Sequence, residues 1–563
     1  MKLLAHLVAA DVRRHRWLLG MWLVVLVASA VLQGSRPLLA AQPAVANTLA
    51  LLTGLLMVVR LLLRVLLTVL VVQTHPLVGS DAFWLTRPIP PLMLMLAKSI
   101  VLGVFLVLAP VAAETVLMST YSVPPGQMVR VAIDSAVFAA LWVTLLTAAA
   151  ALTPTLARFL LLCGGVLAAL ALFISIEITI GLMRTETPPV VADPPRPEDF
   201  TGLIVFVVLL ILACLITLIA QYRNRRLRRS VVTAAVAVVA AVFATDLWPW
   251  PFLQRNVERP AWAANEASLS IVAHAEAVRS AKSINEGRAE WRSAIAPVRI
   301  SGLEPGWSAA IGMLQASLNT DGGRTVTSVS SLYSGEATTD FTTLSSAQAI
   351  RGLIGEIYAF ARPSPLPPAS VLLVVPEAEF ARVAPVRGRY RGRFHLQLTH
   401  HQVEATLALR PGAEARNGSY RVVLDSALVR PGRMELWLRE SDATSFFDRR
   451  PSGQRTYYIR NRRSGAAFES RVNEFQTPTA RLLSQIGVSI ARTTTGFWTE
   501  GSALQFPPPW IGSDDSKAPD ETWLRDADLI IVRSTREGGV ERTLDIDRFP
   551  LDATALNETR TAP

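Results

Sequence analysis

The chain has 563 residues, 51% of them apolar, and a formal net charge of +11. An apolar content this high excludes an intrinsically disordered protein and favours membrane-spanning segments joined to a folded globular part. The positive charge does not indicate a nucleic-acid partner, because basic residues also collect on the inner face of a membrane protein, where they meet anionic lipid.

Apolar segments long enough to cross a bilayer fill the first 250 residues. A hydrocarbon core of about 30 Å needs about 20 helical residues, and the segments that meet this length are 17–33, 48–72, 92–113, 131–152, 159–180, 202–221 and 231–247. We therefore predict an α-helical polytopic membrane domain over residues 1–250 with six or seven spans. Residues 3–12 fit either a short helix in the membrane interface or an extension of the first span.

The distribution of basic residues predicts how these spans are oriented. Connections on one side carry Lys2, Arg13, Arg14, Arg16, Arg87, Arg158 and the arginines between 223 and 229. Those on the other side carry only Arg36, Arg130, Arg184 and Arg196. Because cytosolic connections are enriched in Lys and Arg, the N-terminus is predicted to face the cytosol. An odd number of spans then places the residues after Trp248 outside the cytosol, which for a bacterial inner membrane is the periplasm.

Two arginines lie deep in the second predicted span. Arg60 and Arg64 are four residues apart and so share one helical face. A guanidinium near the middle of a bilayer is costly unless it faces protein or water. Three interpretations remain open: a path for an anionic or lipid-headgroup substrate, snorkelling of Arg64 to the inner surface, and a buried ion pair. The acidic residues that would pair with the arginines are Glu114, Asp134 and Glu177.

The connection between the second and third predicted spans is polar, basic and rich in proline. Within the segment 74–91 it contains Asp81, Phe83, Trp84, Arg87 and Pro88. Prolines stiffen a turn, aromatic side chains suit a membrane interface, and an arginine pairs with a carboxylate or a phosphate. The segment is therefore either a stiff contact surface for another subunit or an ordinary inner loop with an aromatic anchor.

Residues 1–230 resemble the permease subunits of type-2 ATP-binding-cassette exporters. The resemblance is carried by an N-terminal helix before the first span, by a second span that ends in Gln73-Thr74-His75-Pro76, and by Phe83-Trp84-Leu85-Thr86-Arg87-Pro88 before the third span. It implies that the segment 74–91 is a coupling element that docks on a separate P-loop ATPase. It also implies that six spans form one half of a homodimeric transport path. The seventh span and the large C-terminal region depart from that six-span core.

The chain itself lacks the motif for ATP hydrolysis. A P-loop needs a Gly-Lys-Ser/Thr sequence, and no glycine precedes Lys2, Lys98, Lys282 or Lys517. ATP is therefore expected to act only through a partner subunit, and we expect no cofactor, metal site or catalytic residue in this chain. The sequence His400-His401-Gln402-Val403-Glu404 lacks the order of a zinc-binding helix and predicts the surface end of a strand.

Residues after 255 change to the two-residue period of β-strands. Tyr390, Phe394 and Leu396 alternate with polar residues, and the pattern repeats from Val403 to Leu409. Regular short strands separated by glycine and proline turns predict a β-sandwich-like architecture.

A proline-rich run at 363–368 follows a predicted helix at 345–360. We place a domain boundary at the run. The expectation is two β-rich modules outside the cytosol, 255–362 and 369–545, followed by a tail over 546–563.

The segment 495–527 is rich in aromatic residues and too long for an ordinary hairpin connection. It contains Trp498, Trp510 and Trp523. We predict a lid packed over one end of the sandwich or, if the tryptophans are exposed, an external loop that binds a periplasmic ligand or protein.

Three classes of function remain. We favour the membrane subunit of an exporter, energised by a separate ATPase subunit that docks on 74–91, with the external β domain guiding, gating or binding a substrate or partner. The alternative is a membrane-anchored periplasmic β-sandwich protein that binds or scaffolds without transport activity. A membrane-bound enzyme has only the intramembrane arginines in its favour.

Overall fold

The computed structural model describes residues 2–39, 43–74, 90–165, 197–224, 229, 232–236, 239–240, 267–282, 291–328, 346–355, 357–358, 369–384, 386–430, 433–444, 453–472, 497–506 and 521–551. Helices make up the described N-terminal part, and strands make up most of the part that begins at Ser270.

The main helices of the N-terminal part are α1 (Lys2–Leu39), α2 (Pro43–Gln73), α3 (Pro91–Thr120), α4 (Pro125–Leu152), α5 (Leu156–Gly165) and α6 (Pro197–Asn224). Within the described residues, five helical stretches are long and apolar enough to cross a membrane: Lys2–Ser35, Leu51–Gln73, Pro91–Thr120, Pro125–Leu152 and Phe206–Arg223. The prediction of an apolar helical region of the membrane type is thus confirmed.

The remaining predicted spans fall largely outside the described residues. The described part of 159–180 belongs to α5, and the described parts of 231–247 are helical at 232–236 and 239–240. Because α1 is one continuous helix, residues 3–12 extend the first span and do not form a separate helix.

Successive long helices run antiparallel, and polar contacts mark two opposite ends of the bundle. At one end His15 Nε2 lies 3.0 Å from Thr74 Oγ1. At the other end Tyr121 Oη donates to Gly34 O at 3.0 Å. We call the first the connection end, where the chain leaves α2 for α3, and the second the turn end, where α3 turns into α4.

α3 contains a π-helical turn directly before a proline. The turn covers Gly103–Leu108, and Pro110 follows it inside the same helix. Proline has no N–H group, so Pro110 cannot donate to Phe105 O, five residues earlier, or to Leu106 O, four residues earlier. One backbone donor is therefore missing at this turn.

The strands of the C-terminal region are β1 (Ser270–Ala273), β2 (Arg279–Lys282), β3 (Trp291–Ser301), β4 (Trp307–Thr320), β5 (Thr325–Thr327), β6 (Ile357–Tyr358), β7 (Ala369–Pro376), β8 (Arg387–Ala408), β9 (Glu414–Asn417), β10 (Tyr420–Arg430), β11 (Arg433–Ala443), β12 (Gly453–Asn461), β13 (Ala467–Glu469), β14 (Arg471–Val472), β15 (Phe497–Phe506) and β16 (Ala527–Pro550). Short helices cover 346–354 (α7), Glu377–Val383 (α8) and Glu521–Arg525 (α9). The helix predicted at 345–360 is present but shorter, since α7 covers 346–354 and Ile357–Tyr358 form strand β6 instead.

A seven-stranded sheet holds the C-terminal region together. Its order is β5-β4-β8-β16-β12-β13-β6, and its centre is the antiparallel pairing of β8 with β16. A five-stranded sheet has the order β14-β15-β11-β10-β9, and in a four-stranded sheet β3 pairs with β1, β2 and β7. The prediction of a β-rich region with several sheets is confirmed.

Two hydrophobic cores lie along the seven-stranded sheet. One contains Tyr390 and Phe394 of β8 with Leu372 of β7, and the other contains Leu407 of β8 with Leu424 of β10. Because β8 has 22 residues, its first half packs against the four-stranded sheet and its second half against the five-stranded sheet. One long strand pair therefore serves both cores.

Strand pairing runs across the boundary predicted at 363–368. From the segment 255–362, β4 pairs with β8, and from the segment 369–545, β7 pairs with β3. The two segments therefore share two sheets and are not separate sandwiches. A proline-rich run marks an extended connection and carries no information about which strands pair across it.

A cluster of charged side chains is buried between the five-stranded and seven-stranded sheets. Arg455 on β12 donates to Glu404 on β8 at 2.5 and 3.1 Å and to Asp442 on β11 at 3.1 Å. The three side chains are 12%, 4% and 11% exposed. The Arg455 guanidinium also lies 4.0 Å from the ring centroid of Tyr420. Removing one partner from such a cluster leaves an uncompensated buried charge.

We expect Arg455→Ala to lower the free energy of unfolding of the β region by about 3–5 kcal/mol. Arg462→Ala is the matched control, because the Arg462–Asp528 pair has an arginine side chain that is 59% exposed, and its loss should cost far less. Urea titration of the chain in detergent, followed by tryptophan fluorescence, measures both. Equal effects of the two substitutions would contradict the structural role assigned to the cluster.

Candidate functional site

The connection end is where the sequence predicts contact with an ATPase. The predicted contact residues Asp81, Phe83, Trp84, Arg87 and Pro88 lie outside the described residues. The helix ends on both sides of them are described, and these ends determine where the connection leaves the bundle.

Buried polar contacts fix the helix ends that flank the connection. Lys98 on α3 donates to Val71 O near the end of α2 and forms an ion pair with Asp11 on α1 at 3.8 Å. The two charged side chains are only 2% and 5% exposed. With the contact between His15 and Thr74, these bonds join α1, α2 and α3 into one platform beneath the connection.

Arg60 and Arg64 face the interior of the helix bundle. They belong to a stripe on α2 that continues with Leu67 and Val71, which are 1% and 0% exposed. Both guanidinium groups therefore project toward other helices and away from the face of α2 that meets lipid.

Trp22 and Arg64 donate to the two carbonyls of α3 that Pro110 cannot serve. Trp22 Nε1 donates to Phe105 O at 2.8 Å, and Arg64 Nη2 donates to Leu106 O at 3.5 Å. A buried carbonyl without a partner costs about 1–3 kcal/mol. The π-helical turn is thus held by side chains from α1 and α2.

The contacts of Arg64 decide where its side chain lies along the membrane normal. Because Lys98 donates to Val71 O, and Arg64 precedes Val71 by seven residues while Leu106 follows Lys98 by eight, Arg64 and Leu106 lie at nearly the same depth at about 1.5 Å per residue. The Arg64 guanidinium donates to Leu106 O and lies 5.9 Å from the ring centroid of Trp22. These described contacts are inside the bundle and not at the inner surface, where the snorkelling interpretation places the side chain.

Glu114 on α3 is the acidic partner of the two arginines. Its carboxyl group forms a hydrogen bond with Ser135 on α4 and interacts electrostatically with both Arg60 and Arg64. Two buried atoms of these side chains, Arg64 Nε and Glu114 Oε2, have no hydrogen-bond partner among the described residues. We call Arg60, Arg64 and Glu114 the intramembrane charge cluster.

The two other predicted acidic partners are not part of this cluster as far as the structure describes it. Asp134 is 3% exposed on α4 but is not among the charged groups that act on either arginine. Glu177 lies outside the described residues. The described cluster therefore has two positive charges and one negative charge.

The turn end of the bundle is covered by the five-stranded sheet. The ring of Tyr121 meets that of Phe497 on β15 edge to face, with centroids 5.9 Å apart. Ala443 of β11 completes the apolar contact. Burial raises the pKa of Tyr121 above its ordinary value, so its hydroxyl stays protonated at neutral pH.

Two arginines of the sheet bind the backbone of the same turn. Arg421 Nη1 donates to Tyr121 O and Arg416 Nη1 to Ser122 O, each at 3.0 Å. Glu414 accepts a bond from each arginine, and the bond from Arg421 in particular lowers the pKa of this carboxyl to about 2. Ser122 has a φ of 54°, which a serine rarely adopts, and its carbonyl is held there by Arg416.

Sequence reasoning missed this interface between helices and sheet. Nothing in the sequence around Tyr121 to Pro124, or around Arg416 and Arg421, indicates that these residues meet. The only available signal was an aromatic residue immediately after a span, which interface anchoring also explains.

The three tryptophans of the segment 495–527 differ in position and burial. Trp498 lies in β15 and is 6% exposed, with its ring 5.4 Å from the Arg455 guanidinium carbon. Trp523 in α9 is half-buried and packs edge to face on Phe468, with centroids 5.4 Å apart. Trp510 lies outside the described residues. The burial of Trp498 shows that it packs the sandwich and presents no surface for an external ligand.

His401 is buried, which overturns its prediction as a surface strand end. The side chain is 3% exposed, and its ring nitrogens lie 2.7 Å from Ser308 Oγ on β4 and 2.8 Å from Ser534 Oγ on β16. The helix α7 covers this face of the sheet, with Ser346 Oγ 3.3 Å from Ser308 Oγ. Ser308 is only 2% exposed, so a substrate cannot reach the serine–histidine contact in this conformation.

Comparisons with protein-family models, with curated proteins and with solved structures gave no match to this chain. Among the described residues, no group of three His, Cys, Asp or Glu side chains is arranged to hold a metal ion. Function must therefore be argued from the intramembrane charge cluster and the two ends of the bundle.

The buried histidine generates a prediction about pH. Burial, followed by the charge of His400, lowers the pKa of His401 to about 4 from an ordinary 6.5. Between these values the unfolded chain binds the proton and the folded chain does not, so stability is complete above about pH 6.5 and falls as the pH drops toward 4. We expect a loss on the order of 3 kcal/mol in the unfolding free energy of the β region at pH 4 relative to pH 7.

The test is urea titration at several pH values, with His401→Gln as the variant that retains an amide donor and acceptor but does not titrate. That variant should show a flatter pH dependence over this window, while His400→Gln should keep most of it. A His401→Gln curve parallel to that of the unchanged protein would refute the assignment.

Proposed function

We propose that this chain is the membrane subunit of an ATP-binding-cassette-type exporter in the bacterial cytoplasmic membrane. A separate P-loop ATPase would dock on the segment 74–91 at the connection end. The β region would lie outside the cytosol and guide, gate or bind the substrate or a partner. A homodimer would complete the transport path, as the resemblance of residues 1–230 implies.

The observation that carries this proposal is the position of α3 between two specialised ends. Its first residues adjoin the segment 74–91 and are tied to the platform through Lys98. Its last residue leads into Tyr121, whose ring and carbonyl bind the β region. A single helix thus connects the predicted ATPase contact to the external region, as a subunit that transmits movement across a membrane requires.

The course of the chain after α6 supports the seventh span. Tyr222 near the end of α6 is 1% exposed and lies close enough to Asp11 to interact with its charge, so α6 ends at the connection end. The β region that follows is attached to the turn end. A crossing between Asn224 and Ser270 would join these two ends, and the segment 231–247 is apolar and long enough to make it.

We expect Trp84→Ala and Arg87→Ala to reduce copurification of the ATPase subunit at least several-fold, because both remove contact groups from the docking segment. The tagged chain is isolated from its native membrane in mild detergent, and the copurifying ATPase is quantified by mass spectrometry and ATP hydrolysis. Trp142→Ala is the matched control, since Trp142 is 47% exposed within the span α4 and is not part of the segment. If no ATPase copurifies even after crosslinking, the anchored binding protein replaces the exporter.

The orientation is tested by labelling single cysteines in a background without Cys163 and Cys214, the two native cysteines. An impermeant maleimide applied to intact spheroplasts should label Arg410→Cys, at an exposed turn of the β region, and leave Ser80→Cys unlabelled. Permeabilised cells should label both positions. Labelling of Ser80→Cys in intact spheroplasts would reverse the topology and remove the ATPase contact from the proposal.

A further inference from the structure

We propose that Arg60 and Arg64 bind the anionic headgroup of an acidic lipid or lipid-like amphiphile inside the helix bundle. The binding itself is a property of this chain alone. Identifying the bound amphiphile as the transported substrate rests on the proposed exporter function.

The first argument is charge. Of the described residues, the arginines interact electrostatically with Glu114 and with each other, which leaves one positive charge in excess. An uncompensated guanidinium among apolar helices is energetically costly. A ligand that brings one negative charge would neutralise the cluster.

The second argument is hydrogen-bonding capacity. The Arg64 guanidinium has five N–H donors, and among the described residues one of them is used, on Leu106 O, at the long distance of 3.5 Å. Arg64 Nε is buried without a hydrogen-bond partner among the described residues. Two guanidinium groups one helical turn apart suit the oxygens of a phosphate or carboxylate, which arginine binds through paired N–H groups.

The third argument concerns the source of the anion. The residues next to Arg60 on α2 face lipid, since Leu61 and Leu62 are 55% and 61% exposed. The buried stripe that contains the arginines and the lipid-facing surface therefore adjoin along the same helix. A headgroup attached to an acyl chain can enter from the bilayer and keep its apolar part in lipid, whereas a free anion must cross the bundle without compensation.

Substitution of Glu114 tests the proposal, because it should change ligand binding in the opposite direction from substitution of the arginines. If the cluster only stabilises the bundle, removal of any member weakens the structure. If it is an anion site, neutralising Glu114 removes the competing negative charge and frees both arginines for the ligand. The arginine and glutamate variants should then change binding in opposite directions.

The experiment is native mass spectrometry of the purified full chain in a neutral detergent, titrated with phosphatidylglycerol or, as the uncharged comparison, phosphatidylcholine. We expect preferential retention of phosphatidylglycerol. Arg60→Gln and Arg64→Gln should each weaken it about tenfold or more, the usual value of a charge-assisted hydrogen bond. Glu114→Gln should strengthen it. Arg13→Gln, which removes an exposed arginine of α1, should leave it unchanged.

A second titration with inorganic phosphate distinguishes the sources of the anion. Displacement of phosphatidylglycerol only at a large excess of phosphate supports the lipid headgroup, whereas tight binding of phosphate alone overturns the lipid and makes the ligand a soluble oxyanion. Equal retention of both lipids, or retention unaffected by the double substitution of Arg60 and Arg64, overturns the site. None of these measurements needs the ATPase, so failure of the exporter proposal and failure of this site give different results.

Discussion

A polar group inside the helix bundle must find its partner within the protein, and this constraint organises the whole membrane part. Water is absent from the hydrocarbon layer, so an unpaired carbonyl or charge there cannot be solvated. Lys98 accordingly meets Asp11 and Val71 O, and Trp22 bonds the carbonyl freed by Pro110. The apolar contacts hold the helices together, but these few polar bonds fix which helix faces which.

The β region meets a different constraint, because its strands belong to two cores and its surface must also cover the bundle. β8 and β16 contribute to both cores because the two paired strands are long enough to span them. β15 contacts the bundle and the sandwich with opposite faces, since Phe497 packs on Tyr121 while Trp498 packs beside Arg455. The surface of β15 that packs on the helix bundle and the buried charged cluster are therefore neighbouring parts of one layer.

The sequence predicted those features that depend on local pattern, namely the apolar helices, the two-residue period of the strands and the unusual charges at Arg60 and Arg64. It failed where the outcome depends on a neighbour distant in the chain. Phe497 and Trp498 resemble a loop because both faces of β15 are buried, which abolishes the alternation. His401 resembles a strand end because nothing nearby in the sequence shows that α7 covers it. The role of Pro110 in α3 likewise depends on Trp22, which lies 83 residues away from its acceptor Phe105.

The contacts of α3 also indicate which parts of the bundle move together. α1 and α3 are bonded at three levels, from Asp11–Lys98 through Trp22–Phe105 to Gly34–Tyr121. Prolines and π-turns are the usual places for a helix to bend, but here the freed carbonyls are bonded to α1 and α2, which opposes bending. α1 and α3 would therefore tilt as one unit and carry the β region with them. The intramembrane charge cluster joins this unit, through Glu114, to Arg60 and Arg64 on α2, so an anion bound there acts on the contact that any such tilt must change.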